Sequence, residues 1–264
     1  LLADHYPSEQ RGKAMATAFA AANLGVLLGP ALSGFLDHHV GPFAPYAVGI
    51  ALVALDAAGR AFLLPEVEAV REDSIPYGTL LRNPVIRLFA GAMVLGSGLW
   101  ALLESTLPLD MDARLKAGAP AIGLCFSGVA LAHTSTSPFM GALSDRWGRV
   151  KVLRLGLPLV AVLLPLPAIL PNIWTVGLAM GALGVCCSFI MSPCSPAIAD
   201  QIDRMGSKAF ASGFAILNIA YSVGMIVGPY LGGPLVTGFG LPLALSVCGL
   251  GYGAYLLATR GVSA

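Results

Sequence analysis

The sequence predicts an all-α membrane protein. Three observations carry that prediction: an apolar composition, eight apolar runs each long enough to cross a bilayer, and basic residues concentrated in alternate loops. Apolar residues make up 56% of the 264 and charged residues 11%, against about half and about a quarter in a soluble domain. With a mean hydropathy of +0.79, the chain has too few charges to clothe a water-exposed surface. Its 32 glycines and 19 prolines lie within the apolar runs, where membrane helices accept them more readily than soluble ones do.

A hydrocarbon core about 30 Å thick needs about 20 apolar residues of helix. Runs at 13–36, 43–65, 85–108, 120–143, 150–171, 174–199, 209–232 and 240–259 meet that need. The first two are separated by the polar turn Asp37-His38-His39, and the fifth and sixth by Pro171-Asn172. Between the second and third lies the long polar stretch Glu66 to Arg82. The organisation expected is therefore two helices over 1–65, a linker over 66–84 and six helices over 85–264, with no gap large enough for a soluble domain.

Loops rich in Lys and Arg stay on the cytoplasmic side of a membrane. One set of alternate loops holds Arg11, Lys13, Arg71, Arg82, Arg87, Arg146, Arg149, Lys151, Arg154, Arg204, Lys208 and Arg260, and the other only Arg114 and Lys116. The linker and the C-terminus are expected in the cytoplasm.

An internal repeat reveals two halves, as repeats do in transporters. Gly25-Val-Leu-Leu-Gly29-Pro30-Ala-Leu-Ser-Gly34 recurs 199 residues later as Gly224-Met-Ile-Val-Gly228-Pro229-Tyr-Leu-Gly-Gly233, with Asp4 and Asp203 in the same register. The second copy lies in the fifth helix of its half, so the helix holding Pro30 is expected to be the fifth of a first half. Four further helices are then expected upstream of residue 1. Glycines four apart let helix backbones approach closely, and a proline releases a backbone hydrogen bond and bends the helix.

Charged groups within a bilayer are costly and mark function, pairing or a water-filled cavity. Glu104 lies deep in the third run with no basic residue near it in its own helix; a carboxylate there can bind a cationic amine or a proton. Trp100 precedes it by one turn. Asp200 follows Pro193-Cys-Ser-Pro-Ala-Ile-Ala at the end of the sixth run, beside Asp203 and Arg204, and is either a proton-coupling acid or a solvated helix end. Asn218 and Tyr221 are close on one helix, and the tyrosine offers a face for a cation or simply packs. Asp56 and Arg60 are spaced to neutralise each other. His133 is of the residue type whose ordinary pKa lies nearest physiological pH, although a lone histidine is more often a structural hydrogen-bonding residue.

Other classes lose support. A net charge of +1 gives no clustered basic surface for nucleic acid. The five cysteines lack metal or disulfide-framework spacing, and no phosphate-binding loop of the Gly-x-x-x-x-Gly-Lys-Ser/Thr kind occurs. Without paired histidines or a nucleophile and base, no enzyme, cofactor or metal is expected.

Gly141-Ala-Leu-Ser-Asp145-Arg146-Trp-Gly148-Arg149-Val-Lys151 resembles the loop signature of the major facilitator superfamily, in which small residues allow a tight turn and the acid and arginines latch neighbouring helix ends. The resemblance implies a helical bundle of twelve membrane helices, of which about eight are present. Gly25, Gly29 and Pro30, with Gly228 and Pro229, resemble the antiporter signature of that superfamily. Leu2-Ala-Asp4-His-Tyr6, Arg11-Gly12, Ala54-Leu-Asp56, Leu103-Glu104-Ser-Thr-Leu-Pro108-Leu-Asp-Met111 and the two Gly-Pro segments are similar to the vesicular amine transporters, which exchange lumenal protons for monoamines or acetylcholine. Bacterial drug/proton antiporters share much of this pattern. The resemblance implies an organic cation and protons as partners, substrate recognition by Glu104 and proton coupling by Asp200, although an ungapped register selects Asp203. Asn218 departs from the family, which has an aspartate at its position. Transport of another organic solute, or a receptor or scaffold that does not transport, are the alternatives.

Overall fold

The computed structural model describes residues 24–25, 28–63, 75–207 and 209–262. The segments Leu2 to Tyr6 and Arg11-Gly12, with Asp4, and most of the polar stretch after Glu66 lie outside the described residues. The described chain is a succession of helices: α1 over 28–39, α2 Ala44–Leu63, α3 Tyr77–Leu80, α4 Pro84–Leu115, α5 Ala119–Trp147, α6 Arg149–Leu163, α7 Leu166–Ile169, α8 Ile173–Met191, α9 Cys194–Arg204, α10 Phe210–Phe239 and α11 Leu241–Ala258. No strand occurs among the described residues.

Among the described residues, six helical stretches are long and apolar enough to cross a membrane: Ala44–Phe62, Pro84–Leu115, Arg149–Ile169, Ile173–Arg204, Phe210–Phe239 and Leu241–Ala258. α5 is long enough too, at 29 residues or about 43 Å. Its run His133-Thr134-Ser135-Thr136-Ser137 makes it too polar to be counted with them.

Local chemistry sets the helix ends. Asn83 begins α4 by accepting the N–H groups of Val85 and Ile86 at 2.9 and 3.3 Å, and Asn172 does the same for α8 with Trp174 and Thr175. Each satisfies donors left free at a helix start. Two expected spans are broken by proline. The run 150–171 divides around Pro165 into α6 and α7, and 174–199 divides at Ser192-Pro193 into α8 and α9, the latter running on to Arg204. Pro229 and Pro234 do not end α10, which extends to Phe239. The expected linker contains the single helical turn α3 just before α4.

Packing follows the pattern of small residues and hydroxyls. α4 lies against α10, α5 against α8, and α6 between α8 and α11. Where α4 crosses α10, a side chain on Gly228 would strike the Gly98 carbonyl, and one on Gly224 would strike Ser97 and the Val94 carbonyl. The two backbones therefore touch, as glycine alone allows in a membrane helix pair. In the first copy of the repeat, Gly25 and Gly29 border open space, and the close approach of α1 to α5 is made at Gly34 against Ala119 and at Gly123 against Pro30.

Tyr252 and Tyr255 of α11 donate to the carbonyls of Leu95 and Leu88 in α4 at 2.7 and 2.6 Å. Arg154 reaches past the end of α11 and donates to the carbonyls of Thr259, Arg260 and Val262 at 2.7–2.9 Å. Phe89, Leu153, Leu157, Met180, Leu183 and Ile190 form the buried core, while Phe139, Val162, Trp174, Leu178 and Leu250 are exposed on the outer faces. In water such a surface would drive association; in a bilayer it meets lipid.

Candidate functional site

A cavity of about 540 Å³ opens between α1, α4, α5, α8 and α10. α4 contributes Trp100 and Glu104; α5 contributes Phe126, Ala130, His133 and Thr134; α8 and α10 add Met191, Tyr221 and Met225. Residues Gly25, Gly29 and Pro30 close the side nearest α1. Glu104 and Trp100 are four residues apart on one helix, so one α4 face presents a carboxylate beside an aromatic ring. Among the described residues Glu104 makes no ion pair.

The ring of Trp100 meets His133 at 77°, with centroids 5.7 Å apart, and His133 Nδ1 lies 3.4 Å from the Gly184 carbonyl. One turn on, Thr136 donates to Ser188 at 3.0 Å across the α5–α8 contact. A carboxylate flanked by Trp100, Tyr221 and two methionines can hold a compact organic cation: charge pairs with Glu104, and the rings and sulfurs contact the apolar part of the molecule.

The other sequence-derived positions are distributed differently. Asn218 is exposed on α10, one turn before Tyr221, and does not line the cavity. Asp200 is absent from its walls as well. It accepts the Nε–H of Arg149 at 2.8 Å, in a separate hollow of about 440 Å³ lined by Val85, Ser144, Asp145, Gly148 and Gln201, among others.

In that hollow Arg149 also donates to Ser144 at 3.0 Å and to Asp145. Gly148 turns the chain between α5 and α6 with φ +97°, a conformation that a side chain would strain. Gln201 accepts from Asn83 at 3.2 Å, which ties the same corner to the start of α4. Arg146 is exposed beside it. The turn thus brings Asp145 and Arg149 together, and the fold adds Asp200 from α9.

Sequence reasoning placed Glu104, Trp100 and Tyr221 among candidate groups, and the structure puts the three around one cavity. It left His133 undecided and passed over Phe126, Thr134, Met191 and Met225. The usable signal for His133 and Thr134 was the polar run 133–137 inside an otherwise apolar helix, since a polar stripe in a bundle faces a cavity or another polar surface; nothing in the sequence marked Phe126, Met191 or Met225. Asp56 and Arg60 pair with each other at 2.8 Å on the exposed face of α2. Among the described residues no cluster of His, Cys, Asp and Glu suits a metal ion.

Comparison with known proteins agrees with this architecture. The chain is 28% identical over 244 residues to the synaptic vesicular amine transporter of Rattus norvegicus, covering 92% of this chain and 47% of that one. It is 26% identical over 253 residues to the chromaffin granule amine transporter of Homo sapiens, covering 95% and 48%. It is 27% identical over 277 residues to the vesicular acetylcholine transporter of Mus musculus, covering 99% and 52%. The chain therefore spans about half the length of the curated relatives it matches. The family model of the Major Facilitator Superfamily matches residues 1–116 and again residues 89–260. This multi-pass membrane chain belongs to the Major Facilitator Superfamily.

Proposed function

We propose that this chain supplies the last eight helices of a twelve-helix, proton-coupled antiporter of an organic cation such as a monoamine. Residues 1–65 contribute the last two helices of a first half, 66–84 the cytoplasmic linker, and 85–264 the second half. The observation that carries the reading is Glu104 in a cavity beside Trp100 and Tyr221. The carboxylate holds either the cation or a proton, so loading from one side displaces the other ligand. The two halves rock about this site and open it alternately to each face of the membrane. Each ligand then shifts the equilibrium by its difference in affinity for the two arrangements.

Relatives named as amine and acetylcholine transporters support a small cationic substrate and, of the plasma membrane and an intracellular vesicle membrane, the vesicle; the excess of Lys and Arg in alternate loops supports a cytoplasmic C-terminus. Asn218 favours a second reading within the same superfamily, export of a drug or another organic solute, because an amide hydrogen-bonds a ligand without carrying a proton. In both readings Glu104 is the binding and proton-coupling carboxylate. Tyr221 lines the site. Asp145, Arg146, Gly148 and Arg149 form a cytoplasmic latch, and Asp200 acts on proton coupling through Arg149.

The test is uptake of a labelled monoamine by acid-loaded vesicles holding the protein with its upstream helices. Uptake that an uncoupler and Glu104→Gln both abolish is the expected result. Absence of uptake across a monoamine and acetylcholine panel, with insertion intact, overturns amine antiport. Movement of protons with another solute then separates the second reading from a receptor or scaffold that moves nothing.

A further inference from the structure

We infer that His133 is a second proton carrier of this cavity, acting with Glu104; the inference rests on the antiport reading above. His133 of α5 and Glu104 of α4 line the same space of about 540 Å³. The Nδ1 of His133 faces the Gly184 carbonyl at 3.4 Å. A carbonyl only accepts, so in the neutral ring Nδ1 bears the hydrogen and Nε2 holds the lone pair that takes a proton. Trp100 meets the ring edge to face at 5.7 Å and fixes its orientation. The histidine is therefore held from one side by backbone and from another by an aromatic ring, with one titratable nitrogen.

The surroundings leave this role to it. Toward the cavity, α4 presents Glu104, and α10 presents the phenol of Tyr221. α8 brings the thiols of Cys186 and Cys187, which are buried in its packing, and Gly29 and Pro30 of α1, with Gly25 before it, present no titratable group. Arg149 of α6 is held at Ser144, about 17 Å along α5 from His133. Asp200 is engaged with Arg149, and Asn218 carries no proton. Apart from the phenol of Tyr221, Glu104 and His133 are thus the ionisable side chains that line this cavity among the described residues.

From the acidic side one proton converts the Glu104 carboxylate to the acid and a second converts His133 to an imidazolium. The first removes the cation's counter-charge, and the second places a like charge in the same cavity, so the cation leaves. On the other side both protons depart, and the cation pairs again with the carboxylate.

The test uses proteoliposomes holding the protein with its upstream helices, a labelled monoamine, a pH difference of one unit and a membrane potential clamped at zero. His133→Asn retains an amide donor toward Gly184 but cannot titrate, and His133→Gln serves as the second variant. With one proton fewer per cycle, the equilibrium accumulation ratio is expected to fall about tenfold in both variants, while monoamine binding at high pH persists. An unchanged ratio in either folded variant overturns the inference, and so does loss of binding at every pH in both, which marks a purely structural residue. If the unaltered protein shows no gradient-driven accumulation, or Glu104→Gln is without effect, the antiport reading itself fails and takes this inference with it.

Discussion

Arg149 and Asp200 stand 51 residues apart in sequence and 2.8 Å apart in space. The same guanidinium reaches Asp145 and Ser144, so a single side chain joins the end of α5, the start of α6 and the middle of α9. Lysine offers a point charge in place of a planar fork and cannot reproduce three directed contacts.

Arg149→Lys and Asp200→Asn are each predicted to loosen this corner. Asp200 is about half exposed, so the effect is modest, about 0.5–1 kcal/mol, or roughly two- to fivefold in the equilibrium between arrangements. The check is the alkylation rate of a cysteine introduced at Ala197, which lines the hollow. Faster modification is expected in both variants, and equal rates would refute the latch.

Tyr221→Phe keeps the aromatic face toward the cavity, whereas Tyr221→Leu removes it. Loss of a partly desolvated cation–π contact amounts to about 0.5–2 kcal/mol. Monoamine affinity is therefore expected to fall about 3- to 30-fold for the leucine variant and about twofold or less for phenylalanine, measured by equilibrium binding. The same ordering is expected for Trp100→Phe against Trp100→Leu.

Gly228→Ala tests the α4–α10 crossing. The added carbon meets the Gly98 backbone, which has no rotamer with which to yield, so destabilisation of about 1–3 kcal/mol is expected. Gly233→Ala, five residues on with open space around it, serves as the control. Thermal unfolding in detergent should show a lower Tm for the first and little change for the second.

Arg154→Gln removes the donor that collects the carbonyls of Thr259, Arg260 and Val262. Charge-assisted hydrogen bonds are worth about 1.5–3 kcal/mol, and their loss frees the turn after α11. Limited trypsin cleavage at Arg260 is expected to accelerate about tenfold, with the rest of the digestion pattern unchanged.

Much of the bundle was legible in the sequence because length and apolarity define a membrane helix almost without reference to neighbours. The runs from 85 to 259 are all occupied by helix, with shifted ends. What escaped was decided between helices. Pro165 and Pro193 break their spans while Pro229 does not, because the effect of a proline depends on whether packing holds the helix together across it. α10 is held along its length against α4.

Glu104 was legible because an isolated acid in an apolar run has few explanations. Asp200 kept two readings because its partner, Arg149, belongs to a loop that only the folded chain brings near. His133 was ambiguous for a similar reason: its company of Trp100 and Glu104 comes from another helix, and no spacing within α5 announces it.

The Asp56–Arg60 pair bears on how the chain enters the membrane. Among the six long apolar stretches, the one over Ala44–Phe62 is the least apolar and has no residue buried by the rest of the described chain. Asp56 lies inside this helix and Arg60 in its last turn; a charge near the middle of a spanning helix adds about 2.5–3.5 kcal/mol to insertion by the translocon, and pairing one turn apart offsets part of that cost. Of the six, this helix is therefore the one expected to enter the lipid least readily on its own and to depend most on neighbouring helices to stay there.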